Sequence, residues 1–365
     1  MRRVATLAVL AIAGLACGGV FGPGSIALTH ELSDAEAQAA RSLGTEVVDG
    51  RFPAAIAEDC AAHARDWPWL AARSDQRELR VAALYAAAGC VGELDRADAV
   101  AVARGVLGDE APTVVGGGLA LASVLLPDEP DGSDLAHAVA RLALEGTPAA
   151  RFDALQALDR TTWTQDPTLA DVFVQGIAAD DPAVATEALR LVRYRTAGLA
   201  DPSAFREAAL RRTSDIDPGL RGRAARLLAR LAPEDAEVRA RLIELAGDPH
   251  PFTRAAAAEA LGELEWPSAA HVLIPLVEDH AKAVWDMNPF ERLDGRTEVP
   301  HHSGSSFERV DDAALRALQR ATTPLGEEGF TYREVSLRYL DLDIIAAGRD
   351  AKRWYEAHAE AIPRP

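Results

Sequence analysis

Residues 248–264 read DPHPFTRAAAAEALGEL. The Asp248-Pro249 pair marks a helix start, because proline fits the first helical turn and not the interior. The body of the segment is small-sided: five alanines lie between Ala255 and Ala260, and after Phe252 only Leu261 and Leu264 are large and apolar. Alanine is the strongest helix former, and its methyl group lets a second helix come close. With Arg254 as an anchor, Leu261 stands seven residues, or two turns, along the same helix face. The pairing recurs as Arg221 with Leu228, Ala185 with Val192, Arg151 with Leu158, Val115 with Ala122 and Arg80 with Ala87. The anchors fall at 80, 115, 151, 185, 221 and 254, at spacings of 35, 36, 34, 36 and 33. A period held this closely over six units is the mark of a solenoid.

Each unit carries a second apolar-periodic segment, such as ADAVAVARGVL, DLAHAVARLAL or AEVRARLIEL, so the unit is helix, short loop, helix. Asp181-Pro182, Asp217-Pro218 and Asp248-Pro249 punctuate the units, with Asp as the cap and Pro in the first turn. A capping box, Ser33-Asp34-Ala35-Glu36, opens the terminal unit. The expected fold class is all-α, a right-handed α-solenoid of about seven to eight stacked helical hairpins. The expected divisions are a signal segment over 1–16, a flexible tether over 17–33, the array over 34–282, an inserted loop over 283–309, and a last repeat with its cap over 310–365.

A two-helix unit of this length, with Asp-Pro, then a hydrophobe and arginine, then alanine and leucine, resembles the HEAT repeat. More narrowly it is similar to the bacterial HEAT-like units shared with phycobilin lyases. The resemblance runs over 34–282, resumes near 310, and is best in the unit from Asp248 to Asp279. It implies that the anchor arginine pairs with an aspartate of its own or a neighbouring unit, building a ladder along the array. Arg80, Arg151, Arg221 and Arg254 match that position, while Val115 and Ala185 depart from it, so the ladder is expected to break twice. On this reading Arg254 is structural. Tetratricopeptide and ankyrin units fit less well, because their Trp-Leu-Gly-Tyr and TPLHxA patterns are missing.

The period breaks after Arg254: the next anchor is Asp311, with Leu318 as its partner, 57 residues on. The surplus lies in Ala283 to Arg309, a stretch with Trp285, Met287, Phe290 and Phe307 among Pro, Gly and Ser, and with His301 beside His302. Loops inserted in solenoids gather on one face and often carry binding, so these six residues are the candidate partner-binding set. The tail DAKRWYEAH, with Trp354 and Tyr355, resembles the aromatic closing helix of bacterial HEAT proteins and is read as a cap.

The chain opens with Arg2 and Arg3 before an apolar run from Val4 to Ala16, of signal-peptide length and too short for a comfortable span. Gly14-Leu15-Ala16-Cys17 is similar to a relaxed lipoprotein lipobox, which implies acylation of Cys17 and a membrane anchor through it. Ordinary cleavage or a retained helix are the alternatives. Export would place Cys60 and Cys90 in an oxidising compartment. Yet Cys90, in AGCVGEL, aligns with Ala260 in EALGEL, and assumed helices put the two thiols out of register. Two buried small residues are therefore expected in preference to a disulfide.

The formal net charge of −18 opposes a general affinity for nucleic acid, which needs a basic footprint. The charge is uneven: 91–180 holds 15 acidic and 5 basic residues, whereas 190–241 holds 12 arginines and 7 acids. Solvated helix faces are the plain explanation, and a partner with its own charge pattern the alternative. Three stretches could hold chemistry, and none has the pattern it needs. His301, His302, Asp279 and His280 lack the spacing of a metal site. Asp59, Cys60 and His63 share a face but lack an orienting third group. Gly116-Gly117-Gly118 is trailed by no Gly-Lys-Ser/Thr and is read as a close approach or a kink. Trp67 and Trp69 are read as packing. The expectation is a non-enzymatic scaffold of the bacterial cell envelope, without cofactor or metal, binding a protein through its concave face or the 283–309 loop. The alternative is an enzyme, or an accessory, of the HEAT-like lyase or DNA-glycosylase type that uses the concave groove.

Overall fold

The computed structural model describes residues 26–46, 60–130, 133–285, 290–293, 297–298, 309–332 and 340–365. Among the described residues there are sixteen α-helices, beginning with α1 Asp34–Glu46, α2 Asp66–Arg73, α3 Arg77–Gly89, α4 Arg96–Val106, α5 Pro112–Leu125, α6 Asp134–Glu145, α7 Pro148–Leu158 and α8 Pro167–Ile177. They continue with α9 Pro182–Arg195, α10 Ser203–Arg212, α11 Pro218–Leu231, α12 Ala236–Ala246, α13 Pro251–Glu263, α14 Ala270–Leu276, α15 Val310–Thr322 and α16 Leu340–His358. From α2 to α15 they pair consecutively as seven antiparallel hairpins, with α1 against the first and α16 against the last. The fold is an α-solenoid. No helix among the described residues is long and apolar enough to cross a membrane.

All the anchor helices, α3, α5, α7, α9, α11, α13 and α15, form one layer, and the intervening helices form the other. The anchor helices touch their neighbours more closely than the helices of the second layer do, so the stack curves with the anchor layer inside. Small residues make this approach possible. A methyl group on Gly262 of α13 would lie 2.6 Å from the Ala317 Cα of α15. One on Gly222 of α11 would lie 2.9 Å from the Phe252 ring and 3.0 Å from Ala256 on α13. Gly117 does the same for α5 against Leu84 of α3, and Gly118 for α5 against Val106, so the triple glycine marks close approach.

The anchor positions stitch unit to unit. Arg221 grips Asp248 with two hydrogen bonds of 2.8 Å and also donates to the Asp215 and Ile216 carbonyls. Arg254 donates to Asp279 at 2.6 Å and to the Asp248 and Pro249 carbonyls. Arg80 pairs with Asp109 at 2.7 Å. Arg151 instead donates to the Ala143 carbonyl at 3.0 Å. Where Ala185 interrupts the series, Arg212 on the neighbouring α10 supplies the loop, donating to the Ile177 carbonyl at 2.6 Å. At Asp311 the charge is reversed, and Arg309 and His280 both bond to its carboxylate.

Asp181 and Asp217 cap α9 and α11 through two backbone N–H groups each. Asp248 does not start its helix. His250 is the cap of α13, accepting from Phe252 N–H at 3.2 Å, because Pro251 forces the preceding residue out of helical geometry. Asp248 is thereby left to receive Arg221. Ser33 and Glu36 form the reciprocal capping box, Ser33 N–H donating to Glu36 at 2.8 Å.

Two further expectations are corrected. Cys60 and Cys90 form a disulfide, with Cα atoms 5.3 Å apart. Cys60 opens a turn over 60–65 and not a helix, and Cys90 caps α3, so the assumed registers did not apply. The span 26–33 is not a free tether along its whole length: Ile26 is buried against Gly105 of α4, and the Thr29 hydroxyl donates to Asp98 at 2.8 Å. Trp67 and Trp69 are buried packing residues, and α16 seals the far end. There Trp354 donates to the Glu328 carbonyl at 2.8 Å, and Tyr355 and His271 share a hydrogen bond of 2.5 Å.

Candidate functional site on the inner face

The inner surface can be indexed from the anchors. Side chains two, five and nine residues beyond each anchor return to one face at the helical period. On α7 these include Asp153 and Gln156, on α9 Glu187 and Arg190, on α11 Arg223, Arg226 and Arg230, and on α13 Glu259 and Glu263. They form a connected polar layer. Gln156 donates to Glu187 at 2.9 Å, and Glu187 accepts two bonds from Arg190, at 2.8 and 2.6 Å. Arg193 reaches past α11 to Glu259 and Glu263 of α13, at 3.1 and 2.7 Å. Arg226 donates to Glu259 at 2.5 Å, and Arg230 meets Glu263 at 3.1 Å.

The arginine excess of 190–241 is therefore met largely by acids of later units and by partly buried ion pairs. Freely solvated faces are not what the structure shows. Five arginines, Arg190, Arg193, Arg223, Arg226 and Arg230, stand with three glutamates, Glu187, Glu259 and Glu263. Burial, reinforced by repulsion from Arg226, lowers Arg223 to about 10 against the opposing pull of Glu187. Burial also lowers Arg226, which is 1% exposed and whose Nη1 and Nη2 have no hydrogen-bond partner. Its guanidinium stacks over the Phe252 ring at 5.4 Å. For Glu263 burial pushes upward, but the Arg230 hydrogen bond and the Arg193 charge outweigh it and hold the carboxyl below the usual range.

Described residues of the inserted segment lie on this face. Its ends are brought together by an antiparallel bridge between Lys282 and Arg309, with Val310 N–H donating to the Ala281 carbonyl at 3.1 Å. Trp285 is 6% exposed, so it is no free recognition residue. It fills the slot left by Gly219 at the start of α11, where any side chain would overlap its indole, and it lies 5.5 Å from the Phe252 ring and 5.4 Å from the Arg223 guanidinium. Beyond it, β1 Phe290–Glu291 pairs antiparallel with β2 Thr297–Glu298. Arg292, just after β1, ion-pairs with Asp153 at 2.7 Å, donates to Gln156 at 3.0 Å and stacks over Phe152 at 5.7 Å. Leu293 is buried beside it. Trp285 thus contacts α11 and α13, and Arg292 contacts α7.

Of the six residues expected to bind a partner, Trp285 is packed inward and Phe290 stands in β1 with its backbone paired to Glu298. Met287, His301, His302 and Phe307 lie outside the described residues, as does Cys17. Arg292, Leu293, Arg223 and Arg226 were missed, although counting two and five residues from the anchors would have found the two on α11. Asp279 serves Arg254 and His280 serves Asp311, and no group of three or more metal-ligating side chains gathers among the described residues. The Cys60 thiol is used in the disulfide, and His63 bonds Asp66 at 2.7 Å, so the thiol–imidazole pair is excluded.

A search of curated proteins finds no match to the chain. Among solved structures the chain is similar to Kap95p, from a structure describing how its binding acts on the switch loops of RanGDP, at 10% identity and a TM-score of 0.51. That likeness covers 91% of this chain and 46% of Kap95p, so the chain spans about half of that protein's length. An engineered protein is matched at 19% identity and a TM-score of 0.45, over 93% of this chain and 83% of the other. Importin beta is matched at 16% identity and 0.44, over 88% and 44%. Residues 203–284, from α10 to just past α14, match the family model of HEAT repeats. In sequence over that span, and in fold over nearly the whole chain, the protein is similar to helical repeat proteins of the HEAT kind.

Proposed function

We propose that the protein is a non-enzymatic binding scaffold of the bacterial cell envelope, exported and held to a membrane by an acylated Cys17, that engages a protein partner on its inner face. The observation that carries this reading is the inner face itself, which takes Trp285 and Arg292 into side-chain pockets, the first on α11 and α13 and the second on α7. A surface that accommodates spaced side chains of one stretch suits polypeptide. The Cys60–Cys90 disulfide supports the export half, because such bonds persist in oxidising compartments. The importin-type neighbours support the fold and lend no partner. The wider resemblance to lyase-like HEAT units brings no reacting residues with it.

Affinity capture from crosslinked native cells tests the reading, with the intact chain and a chain lacking 283–308 run in parallel. The expected result is one envelope protein whose recovery changes with the deletion. Identical captures, or captures of DNA, overturn it. Labelling with an alkyne fatty acid, compared between the native chain and Cys17→Ser, tests the anchor; equal label in both removes it.

A further inference from the structure

Trp285 and Arg292 belong to the segment, yet their pockets belong to the repeats. The Gly219 slot, walled by Phe252 and Arg223, has a shape that accepts a flat aromatic ring. Two helices along the anchor layer, on α7, Phe152, Asp153 and Gln156 make a pocket of stacking, charge and amide that suits a guanidinium, with room beside it for the buried Leu293. We propose that Trp285, Arg292 and Leu293 are internal occupants of a peptide-binding groove, and that the groove's partner is a segment carrying an indole-sized aromatic and, about seven residues later, an arginine followed by an aliphatic residue. This deepens the scaffold reading and rests on it.

Three features argue for occupancy over mere decoration. The contacts are made far from the point of insertion, Arg292 meeting a residue 139 positions earlier in the chain. They use paired, charged chemistry, which specifies a partner, where a simple cap over the inner face needs only apolar cover. The base is also closed independently: Lys282 and Arg309 pair, and Asp311 N–H donates to the Asp279 carbonyl at 3.0 Å, so the repeat register beneath is complete without the segment. Undocking therefore exposes the groove without dismantling a unit. The segment lowers the apparent affinity for an outside partner by the fraction of time it is docked.

The test uses that closed base. Residues 283–308 are replaced by Asn-Gly, a two-residue hairpin turn that joins Lys282 to Arg309. A fluorescein-labelled peptide of residues 281–299 is titrated into the excised chain and the intact chain by anisotropy. The expected result is saturable, one-to-one binding to the excised chain and binding at least about tenfold weaker to the intact chain. Peptides with Trp285→Ala or Arg292→Ala bind about tenfold or more weakly, and Gly219→Val in the excised chain closes the aromatic slot with the same loss. Asp153→Asn in the excised chain removes the penalty for Arg292→Ala and leaves the penalty for Trp285→Ala. As a second route that keeps all other residues in place, intact Trp285→Ala gains peptide binding over the native chain. No binding to either opened chain, or binding indifferent to both peptide substitutions, overturns the proposal. So does a native chain that sediments as a dimer by exchanging its segments, because the occupant would then come from a second copy. Failure here leaves the scaffold reading to its capture experiment, while a failed capture with intact peptide binding would sink the envelope partner alone.

Discussion

Arg226 and Glu259 are bonded to one another, yet the structure gives them unequal value. Among the described residues Glu259 is the sole hydrogen-bond acceptor for Arg226, whose Nη1 and Nη2 are already without partners at 1% exposure. Glu259→Ala therefore strands a buried guanidinium, and such an uncompensated charge costs about 3–5 kcal/mol. It also takes one of the two acceptors of Arg193, which keeps Glu263. Arg226→Met removes the charge and both unsatisfied nitrogens together while keeping most of the stem volume. Glu259 retains Arg193 at 3.1 Å, so the cost is about 1 kcal/mol or less. The two single substitutions should differ by about 3 kcal/mol in urea melts monitored by helical circular dichroism. The double substitution should recover much of the Glu259→Ala loss, because nothing buried is left charged at the Arg226 position. Equal losses, or a larger loss in Arg226→Met, would show that the guanidinium is well solvated by its surroundings, and the account of Arg226 as a buried charge dependent on Glu259 would fail.

The same geometry sets other outcomes. Gly262→Ala places a methyl group 2.6 Å from the Ala317 Cα and should destabilise by about 1–3 kcal/mol, whereas Gly247→Ala, with only the Glu244 carbonyl 3.5 Å away, should change the melt little. Cys90→Ala opens a bridge spanning 30 residues and should cost about 2–4 kcal/mol; equal alkylation of the denatured native chain with and without prior reduction would refute the bridge. The folded pKa of Glu263 is depressed, so its contribution is complete above the unfolded value and is lost as pH falls through the folded one. Arg193→Met should therefore flatten the acid side of the stability–pH curve below about pH 4.5, and an unchanged acid limb would contradict the pairing.

The period, the anchor row and the position of the insertion were legible in the sequence because a solenoid repeats its contacts locally. Arg221 and Arg254 have their aspartates one unit on, at a separation the repeat itself predicts. The Arg151 pairing was not, since the resemblance implied an aspartate and the side chain found a carbonyl. The disulfide was hidden by a false alignment: Cys90 lies ten residues past its anchor, at the cap beyond the end of α3, and Ala260 only six past its own, inside α13, so matching their Gly-Glu-Leu endings compared positions a full turn apart. The docking of Trp285 and Arg292 left no periodic trace, because their partners are set by where a long loop happens to return. Aromatic residues in an insertion signalled contact with something, and the something was the array.

Arg193 lies on α9 and its acceptors on α13, so the bond skips the unit between. In a nearest-neighbour array each hairpin can fray once its outer neighbour has gone, and opening runs inward from the ends. A tie that spans α11 removes that freedom: α9, α11 and α13 must open together. Amide exchange should show these three helices sharing one protection level, with α15 and α16 releasing earlier. The protein would then be mechanically a short rigid block with softer ends, and a load pulling on the amino-terminal side would unwind α3 to α7 before it reached the arginines.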